Sequence, residues 1–152
     1  MESVLTHLED VRSHKTIVFT NGVFDVLHSG HIQLLQCAKR LGNILVVGIN
    51  SDASVRGLGK GSNRPINTFF DRKQVLEALV FVDFVLEFQE QMPIELIKKV
   101  RPHVHVKGGD YEACQLPEFK ILQEMDALIA IVPTVAGKSS TNVIQQMLEP
   151  AQ

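Results

Sequence analysis

Two histidines three residues apart, His28 and His31, are the pair in this 152-residue chain whose spacing most suggests chemistry. They follow the apolar run 16–19, which predicts a buried strand, and they stand where a helix with regularly spaced apolar residues begins. Two imidazoles at a helix start can donate hydrogen bonds to one anion, together with the free N–H groups of the first turn. The pattern predicts a phosphate site with two titratable donors.

The same pair is also compatible with a helix cap or with a zinc site. In an arbitrary sequence, this spacing is about as often a helix cap beside a surface histidine. A zinc site is less favoured, because helical zinc pairs are usually four residues apart and no third ligand stands out. The polar residues Asn21 and Asp25 before the pair, and Gly30 within it, favour the phosphate site.

Apolar runs alternate with helical patterns along the chain. The predicted strands are 16–19, 44–49, 82–86, 104–106 and 127–132, and the predicted helices are 3–12, 31–41, 69–80, 93–100, 117–125 and 141–148. Continuous apolar strands separated by helices indicate a parallel sheet with helices on both faces. We expect a Rossmann-like, doubly wound α/β fold with five strands, in which an N-terminal helix (1–15) precedes a single domain (16–150).

Ligands of such sheets bind beyond the carboxyl ends of the strands. Most of the unusual polar and glycine residues fall in the loops expected there, which are 21–31, 50–67, 88–92, 107–116 and 133–140. The longest of them, 50–67, contains Lys60 between glycines and then Arg64. A long loop in a compact domain is more often functional than idle, so we interpret it as a mobile flap over the site.

Several side chains could have either a functional or a structural role. Asp25 could orient substrate hydroxyls or a metal-bound water, or it could cap the helix that follows it. Arg72 could act at the site or hold the flap by ion pairs, whereas Lys39 is expected on a solvated helix face. His103 and His105 share one face of a short strand, where packing or surface exposure accounts for them.

Some helix ends are marked by their residue types. Thr68 and Asp71 have the spacing of a capping box, with Asp in place of the usual Glu. Pro93 suits the first turn of a helix. Ser139 or Ser140 suits the N-cap of the last helix.

Composition excludes several classes of protein. The net charge of -2 gives no general attraction to nucleic acid or to an anionic membrane. No apolar run approaches the length of a transmembrane helix, and residues 1–4 lack the features of a signal peptide. Cys37 and Cys114 offer neither metal-ligand spacing nor a disulfide framework. We expect a small cytoplasmic protein with no metal site of its own and with no nucleic-acid or membrane partner.

The motif around the two histidines resembles the HxGH signature of the nucleotidyltransferase superfamily, which includes the cytidylyltransferases. The resemblance covers roughly residues 16 to 145, in the segments 20–25, 28–31, 38–42, 48–52, 64–67, 71–72, 82–83, 107–111 and 139–141. HxGH alone specifies only the superfamily. The segments 20–25, 64–67 and 107–111 are most similar to the adenylyltransferases that make ADP-heptose from heptose 1-phosphate and ATP.

The resemblance implies a reaction and a set of site residues. A sugar 1-phosphate would attack the α-phosphorus of ATP, with Mg²⁺ carried by the ATP and no metal ligands required from the chain. His28, His31 and Lys60 would be catalytic, with Lys60 on the β- and γ-phosphates or on the sugar phosphate. The nucleotide- and phosphate-binding residues would be Thr20, Asn21, Gly22, Phe24, Asp25, Gly30, Arg64, Lys107, Gly109, Asp110, Ser139, Ser140 and Thr141.

The resemblance also leaves alternatives and implies partners. A cytidylyltransferase acting on glycerol 3-phosphate or a related polyol phosphate is the enzyme alternative, although Pro133-Thr134 stands where those enzymes carry an arginine. A catalytically silent nucleotide-binding protein on the same fold is the alternative from another class. Similar proteins form homodimers, so a homodimer is expected, and a separate sugar kinase would supply the sugar phosphate.

Overall fold

The computed structural model describes residues 1–59, 63–110, 112–135 and 137–148. The strands are β1 (Ile17–Gly22), β2 (Ile44–Asn50), β3 (Phe84–Phe88), β4 (Val104–Gly108) and β5 (Leu128–Val132). The helices are α1 (Glu2–Val11), α2 (Ser29–Arg40), α3 (Asp52–Gly57), α4 (Phe69–Glu77), α5 (Ile94–Val100), α6 (Phe119–Glu124) and α7 (Ser140–Leu148). A short 3₁₀ turn covers Ala113–Gln115.

The five strands form one parallel sheet in the order β3-β2-β1-β4-β5. The chain starts at the centre, moves outward through β2 and β3, and then returns to the other side of β1 for β4 and β5. The strand order therefore reverses between β1 and β4, and the ends of these two strands are where a ligand site is expected. The predicted single-domain, doubly wound α/β fold is confirmed.

Alternate residues of the central strands belong to two apolar layers, one on each face of the sheet. Val18, Leu45 and Val47 face α2 and α4, where Leu35, Ala38 and Leu76 are buried. Ile17, Phe19 and Val46 face the other side, where α1, α5 and α6 bury Leu8, Leu96, Ile97 and Leu122. Both faces of the sheet are thus covered, which explains why the strands are continuously apolar in sequence.

Two parts of the predicted element pattern are wrong in detail. The first half of the expected irregular loop 50–67 forms α3, because Ser51 caps it by accepting a hydrogen bond from the Ser54 N–H at 3.1 Å. Six residues ending in glycine carry too little periodicity to reveal a helix. The predicted helix 69–80 ends at Glu77, and β3 starts at Phe84 instead of 82. Just before β3, the Asp83 carboxylate accepts the Leu45 N–H at 2.7 Å.

The predicted caps are largely confirmed. Thr68 and Asp71 form the expected capping box at the start of α4. The Ser139 hydroxyl accepts the Asn142 N–H at 3.1 Å at the start of α7. Pro93 lies at the N-cap position of α5, one residue before its first turn. No helix of the described residues is long and apolar enough to cross a membrane.

Arg72 has a structural role, which decides between the two roles considered for it. Its guanidinium is buried and donates to the carbonyl oxygens of Val23, Asn50 and Asn67 at 2.7–3.2 Å. It also pairs with Asp52 at 2.8 Å. One side chain therefore fastens the loop after β1, the end of β2 and the segment before α4 to one another.

Lys39 is not simply solvated, contrary to the expectation for its helix face. Its ammonium pairs with Asp83, the residue that leads into β3. The same ammonium donates to the Asn43 carbonyl oxygen at 2.7 Å. Lys39 therefore links the end of α2 to the approach of an edge strand.

His105 in β4 and His103 just before it are packed against other residues, which was one of the two possibilities for them. His105 is fully buried and stacks on Phe19, with ring centroids 5.7 Å apart. His103 Nδ1 accepts the Ile17 N–H at 2.9 Å, which requires that this nitrogen be unprotonated. Burial lowers the pKa of both histidines. The charge of Arg12 lowers the pKa of His103 further, whereas for His105 the neighbouring Glu118 offsets part of the lowering by burial and by Lys107.

Replacing Arg72 by Met should cost about 3 kcal/mol or more in free energy of unfolding, because a buried acceptor left without its donor costs ~1–3 kcal/mol. Urea denaturation measures this. Lys73→Met is the matched control, since the neighbouring Lys73 makes only a surface ion pair with Glu77, and it should change stability by at most about 0.5 kcal/mol. Equal losses in the two variants would contradict the role of Arg72.

Stability should fall on acidification through the histidines whose pKa is lowered. As the pH drops below about 6.5, these histidines are protonated in the unfolded chain but still neutral in the folded chain. The free energy of unfolding therefore decreases. His103→Asn keeps an acceptor for the Ile17 N–H but cannot titrate. Denaturation at pH 7.5 and 5.5 should show a smaller decrease for this variant than for the wild type. The exposed control His14→Asn should keep the wild-type decrease, and a full decrease in His103→Asn would exclude His103 as a source.

Candidate active site

A cavity of about 480 Å³ opens at the carboxyl ends of β1, β4 and β5. This volume lies within the range of small-molecule sites. Its walls come from the loop after β1, the first turns of α2 and α7, and the loop between β5 and α7. The lining residues include Asn21, Gly22, Phe24, Asp25, His28, Gly30, His31, Arg64, Lys107, Lys138, Ser139, Ser140 and Thr141.

The two histidines lie together on this wall. Their rings are stacked, with centroids 3.8 Å apart and planes inclined by 25°. His28 occupies the N-cap position of α2, and its backbone N–H donates to Nδ1 of His31 at 3.4 Å. The His31 ring also lies against Phe24, with centroids 5.2 Å apart. The two rings therefore face one space at the start of a helix, as the spacing predicted.

Gly30 leaves room for this stacking. A Cβ at position 30 would lie 3.0 Å from two atoms of the His28 ring, which is closer than side chains normally pack. Even an alanine there would require the His28 ring to shift by a few tenths of an ångström. There is thus a steric reason for a glycine between the two histidines.

His28 is kept neutral by its surroundings. Burial lowers its pKa, and the positive charge of Lys138 lowers it further. A neutral imidazole can still donate one hydrogen bond, so the pair can bind an anion without both rings carrying a charge. The positive potential at this wall comes from Lys138 and from the N-termini of α2 and α7.

The loop between β1 and α2 is strained. Phe24 and Val26 have φ of +50° and +40°, in the left-handed region, which is especially unfavourable for the β-branched Val26. Such residues cost of order 1–3 kcal/mol each and persist only where contacts hold them. Here the Ser140 hydroxyl lies 3.2 Å from the Asp25 carbonyl oxygen and 3.3 Å from that of Val26, and it ties the loop to α7.

The Asp25 carboxylate has its partners within the chain. It is buried, pairs with Arg64 at 2.9 Å and accepts the backbone N–H groups of Ile66 and Asn67 at 2.7 and 2.9 Å. It does not cap α2, whose N-cap is His28. With both oxygens in use, the carboxylate holds the segment 64–67 against the cavity and is not a free ligand for a substrate or a metal.

Lys107 lies at the end of β4, where its ammonium donates to Asn21 Oδ1 at 3.1 Å and to Glu118 Oε1 at 2.6 Å. Glu118 is buried at the N-cap of α6, and His105 Nε2 lies 3.5 Å from the same carboxylate oxygen. Burial raises the pKa of Glu118, but the neighbouring His105 and Lys107 outweigh it and lower the pKa to about 2. Glu118 is therefore ionised and compensates the charge of Lys107.

Not every residue predicted for the site lines the cavity. Thr20 is fully buried within β1, between Val47 and Val106 of the flanking strands. Gly109 donates its N–H to the Val132 carbonyl at 3.0 Å, and Asp110 accepts a hydrogen bond from the Thr134 hydroxyl. Thr20 thus belongs to the centre of the sheet, and Gly109 and Asp110 shape the loop after β4. Lys60 and Tyr111 lie outside the described residues.

Two residues of the site were missed from sequence. Lys138 lines the cavity beside His28, but a lysine in a polar loop gives no distinctive signal. Glu118 follows a proline at the start of a predicted helix, where an acidic residue is ordinary. Only the packing of α6 against β4 brings Glu118 to Lys107. Within the described ranges, no group of three or more His, Cys, Asp or Glu side chains is arranged to hold a metal ion.

Comparison with known proteins places this geometry in a family. The sequence model of the family described as Cytidylyltransferase-like matches residues 19–146. The bifunctional protein HldE of Campylobacter fetus subsp. fetus is 49% identical over 136 residues, which are 90% of this chain and 29% of that protein. HldE of Streptomyces coelicolor is 48% identical over 139 residues, 91% of this chain and 30% of that one. The chain thus spans about three tenths of the length of these curated relatives.

A solved structure agrees with the sequence relatives. The crystal structure of the lipopolysaccharide core biosynthesis protein from Thermoplasma volcanium GSS1 is 28% identical and superposes with a TM-score of 0.64, over 80% of this chain and 97% of that one. The family model covers most of the chain, including β1 from Phe19 onward, both histidines and α7 up to residue 146. The chain therefore belongs to the cytidylyltransferase-like family.

Proposed function

We propose that this chain is an adenylyltransferase that transfers AMP from ATP to heptose 1-phosphate, giving ADP-heptose and pyrophosphate. The observation that carries the proposal is the stacked pair His28 and His31 at the start of α2, inside a cavity at the strand ends. The choice of ATP and heptose is supported by the motif resemblance and by the identity to the HldE proteins. These relatives do not favour the cytidylyltransferase alternative.

The chemistry needs donors more than it needs a base. An oxygen of the sugar phosphate attacks the α-phosphorus of ATP, and the bond from that phosphorus to the bridging oxygen of the β-phosphate breaks, releasing pyrophosphate. Negative charge grows on the phosphoryl oxygens and on the leaving group. His28, His31 and the N–H groups at the start of α2 would donate to those oxygens. The attacking phosphate is already an oxyanion at neutral pH, so no proton needs to be removed.

The remaining cavity residues would position the substrates. Lys138 and the start of α7, with Ser139 capping it, offer a second anion site facing the first. We assign the leaving pyrophosphate to this side, where the charge of Lys138 would stabilise it. Positioning two anions in one cavity is a large part of catalysis for this type of reaction.

Mg²⁺ would enter with the ATP. The cavity offers hydroxyl, imidazole and N–H groups, whereas the Asp25 carboxylate is already occupied by Arg64 and two backbone N–H groups. These residues fit a cation held by phosphate oxygens and water, which is the usual coordination of Mg²⁺ in nucleotide sites. The ion would neutralise charge on the triphosphate. A homodimer is proposed on the resemblance alone, and a cytoplasmic location is proposed on the sequence composition.

A nucleotide panel tests the proposed substrates. With ATP and heptose 1-phosphate, pyrophosphate release should be rapid, and CTP should support it poorly. The panel pairs ATP, CTP, GTP and UTP with heptose 1-phosphate, other sugar 1-phosphates and glycerol 3-phosphate, and a coupled pyrophosphate assay gives kcat/KM. Turnover with CTP alone would overturn the adenylyl assignment. No turnover with any pair would favour a silent nucleotide-binding protein.

Replacing either histidine by alanine should lower kcat by ~10²–10³, because one preorganised donor to a developing oxyanion is worth about that much. Thermal unfolding should show that both variants fold. His14→Ala, a substitution of an exposed histidine outside the cavity, is the matched control and should keep wild-type kcat. If His28→Ala and His31→Ala turn over at wild-type rates, the pair has no part in the reaction.

A further inference from the structure

The cavity contains three described cations whose surroundings differ. Arg64 is paired with the buried Asp25, and Lys107 is paired with the buried Glu118. Lys138 is exposed, and within the described part of the chain no carboxylate lies at ion-pair distance from it. The uncompensated positive charge therefore lies at the α7 side, beside His28. The floor at the ends of β1 and β4 carries no net charge from Lys107 and Glu118 together.

We infer that Glu118 is a positioning residue that holds the Lys107 ammonium on the cavity floor and cancels its charge, so that Lys107 donates to an uncharged acceptor of the nucleoside and not to a phosphate. This inference rests on the proposed function, because it takes a nucleotide as the ligand.

The contacts of Lys107 fix its direction. An ammonium has three donors, and here one goes to Asn21 and one to Glu118, which leaves a single donor. Glu118 is only 1% exposed, so its carboxylate cannot turn to solvent and release the lysine. A lysine held at two points presents one fixed N–H, which suits a ring nitrogen, a carbonyl or a hydroxyl. A phosphate would compete with Glu118 for the same charge.

The neighbours of Lys107 suit a nucleoside better than a second phosphate. Val132 is the register partner of Gly108 on β5, and Leu34 lies where a Cβ on Gly108 would come within 3.3 Å. Both apolar side chains line the cavity next to Lys107. A flat base or a ribose ring can pack on such a surface, whereas a phosphate would lose its hydration there without compensation.

The ionised state of Glu118 supports the assignment of Lys107 to the nucleoside and not to the phosphates. Although burial raises its pKa, His105 and Lys107 bring the pKa to about 2, so the carboxylate is charged throughout the neutral range. His105 is itself buried against Phe19 and has its pKa lowered. Lys107 thus provides the counter-charge of Glu118 in this cluster.

The test compares two probes that separate the parts of a nucleotide, adenosine and inorganic tripolyphosphate, by isothermal titration calorimetry. In Glu118→Gln, the charge of Lys107 is no longer compensated, so it can attract the phosphates of a ligand. The Lys107 ammonium also loses the ion pair that fixes its direction. Adenosine should bind roughly 3–10-fold more weakly, the size of one lost hydrogen bond. Tripolyphosphate should bind equally or more tightly. A purely structural role for Glu118 would weaken both probes together, and that result, or no change in either, would overturn the inference.

The matched control is Glu124→Gln, which makes the same chemical change on α6 at an exposed position. Both dissociation constants should stay at wild-type values in that variant. If Glu118→Gln does not fold, the double variant Lys107→Met with Glu118→Gln removes both partners. It should weaken adenosine and leave tripolyphosphate unchanged, and a loss of tripolyphosphate binding would show that Lys107 binds phosphate.

Failure of the proposed function has a different signature. If the wild-type protein binds tripolyphosphate but not adenosine, the adenylyl assignment is wrong. Cytidine then replaces adenosine as the nucleoside probe, and the same comparison between wild type and Glu118→Gln decides the role of Glu118.

Discussion

Asp25 joins three separate parts of the chain at the cavity, through its buried carboxylate and its backbone carbonyl. It pairs with Arg64, accepts the N–H groups of Ile66 and Asn67, and its own backbone carbonyl lies within hydrogen-bond distance of the Ser140 hydroxyl. The residues on either side of it are held at positive φ. Together with the hydrogen bond from Arg72 to the Val23 carbonyl oxygen, these bonds compensate the strain of the loop that leads into His28. The position of the histidine pair therefore depends on a carboxylate that has no free oxygen for the substrate.

Charge compensation is repeated around this cavity. Arg72 neutralises Asp52 and fastens three backbone segments, Arg64 is paired with Asp25, and Lys107 with Glu118. Each pair fixes a cation whose side chain would otherwise be mobile, at the cost of much of its free charge. Among the described groups that line the cavity, positive potential without a carboxylate partner comes from Lys138 and from the N-termini of α2 and α7. The site thus combines a rigid frame of paired charges with a small region of net positive potential.

A feature of the fold or of the site could be predicted from sequence when the residues that determine it lie close together in the chain. The parallel sheet followed from continuous apolar runs, because strands buried on both faces must be apolar throughout. The pairing of His28 with His31 followed from helical spacing, and the Thr68–Asp71 cap from a local rule. The short helix α3 was missed, since six residues give no usable periodicity. The partners of the Asp25 carboxylate were not foreseen, because they lie some forty residues further along the chain.

Residue types and their spacing were enough to establish the fold class, the pairing of the two histidines at a helix start and the resemblance to nucleotidyltransferases, because these depend on periodicity and on residues close together in the chain. Which charges are free became clear only from contacts between distant segments. Lys107 was predicted to bind the nucleotide or its phosphates, but only the packing of α6 shows that Glu118 lies 2.6 Å from its ammonium, and only the sheet shows that Thr20 is buried in β1. Electrostatic environment is a property of three-dimensional neighbours, and the neighbours of a side chain across a sheet are not encoded in local spacing.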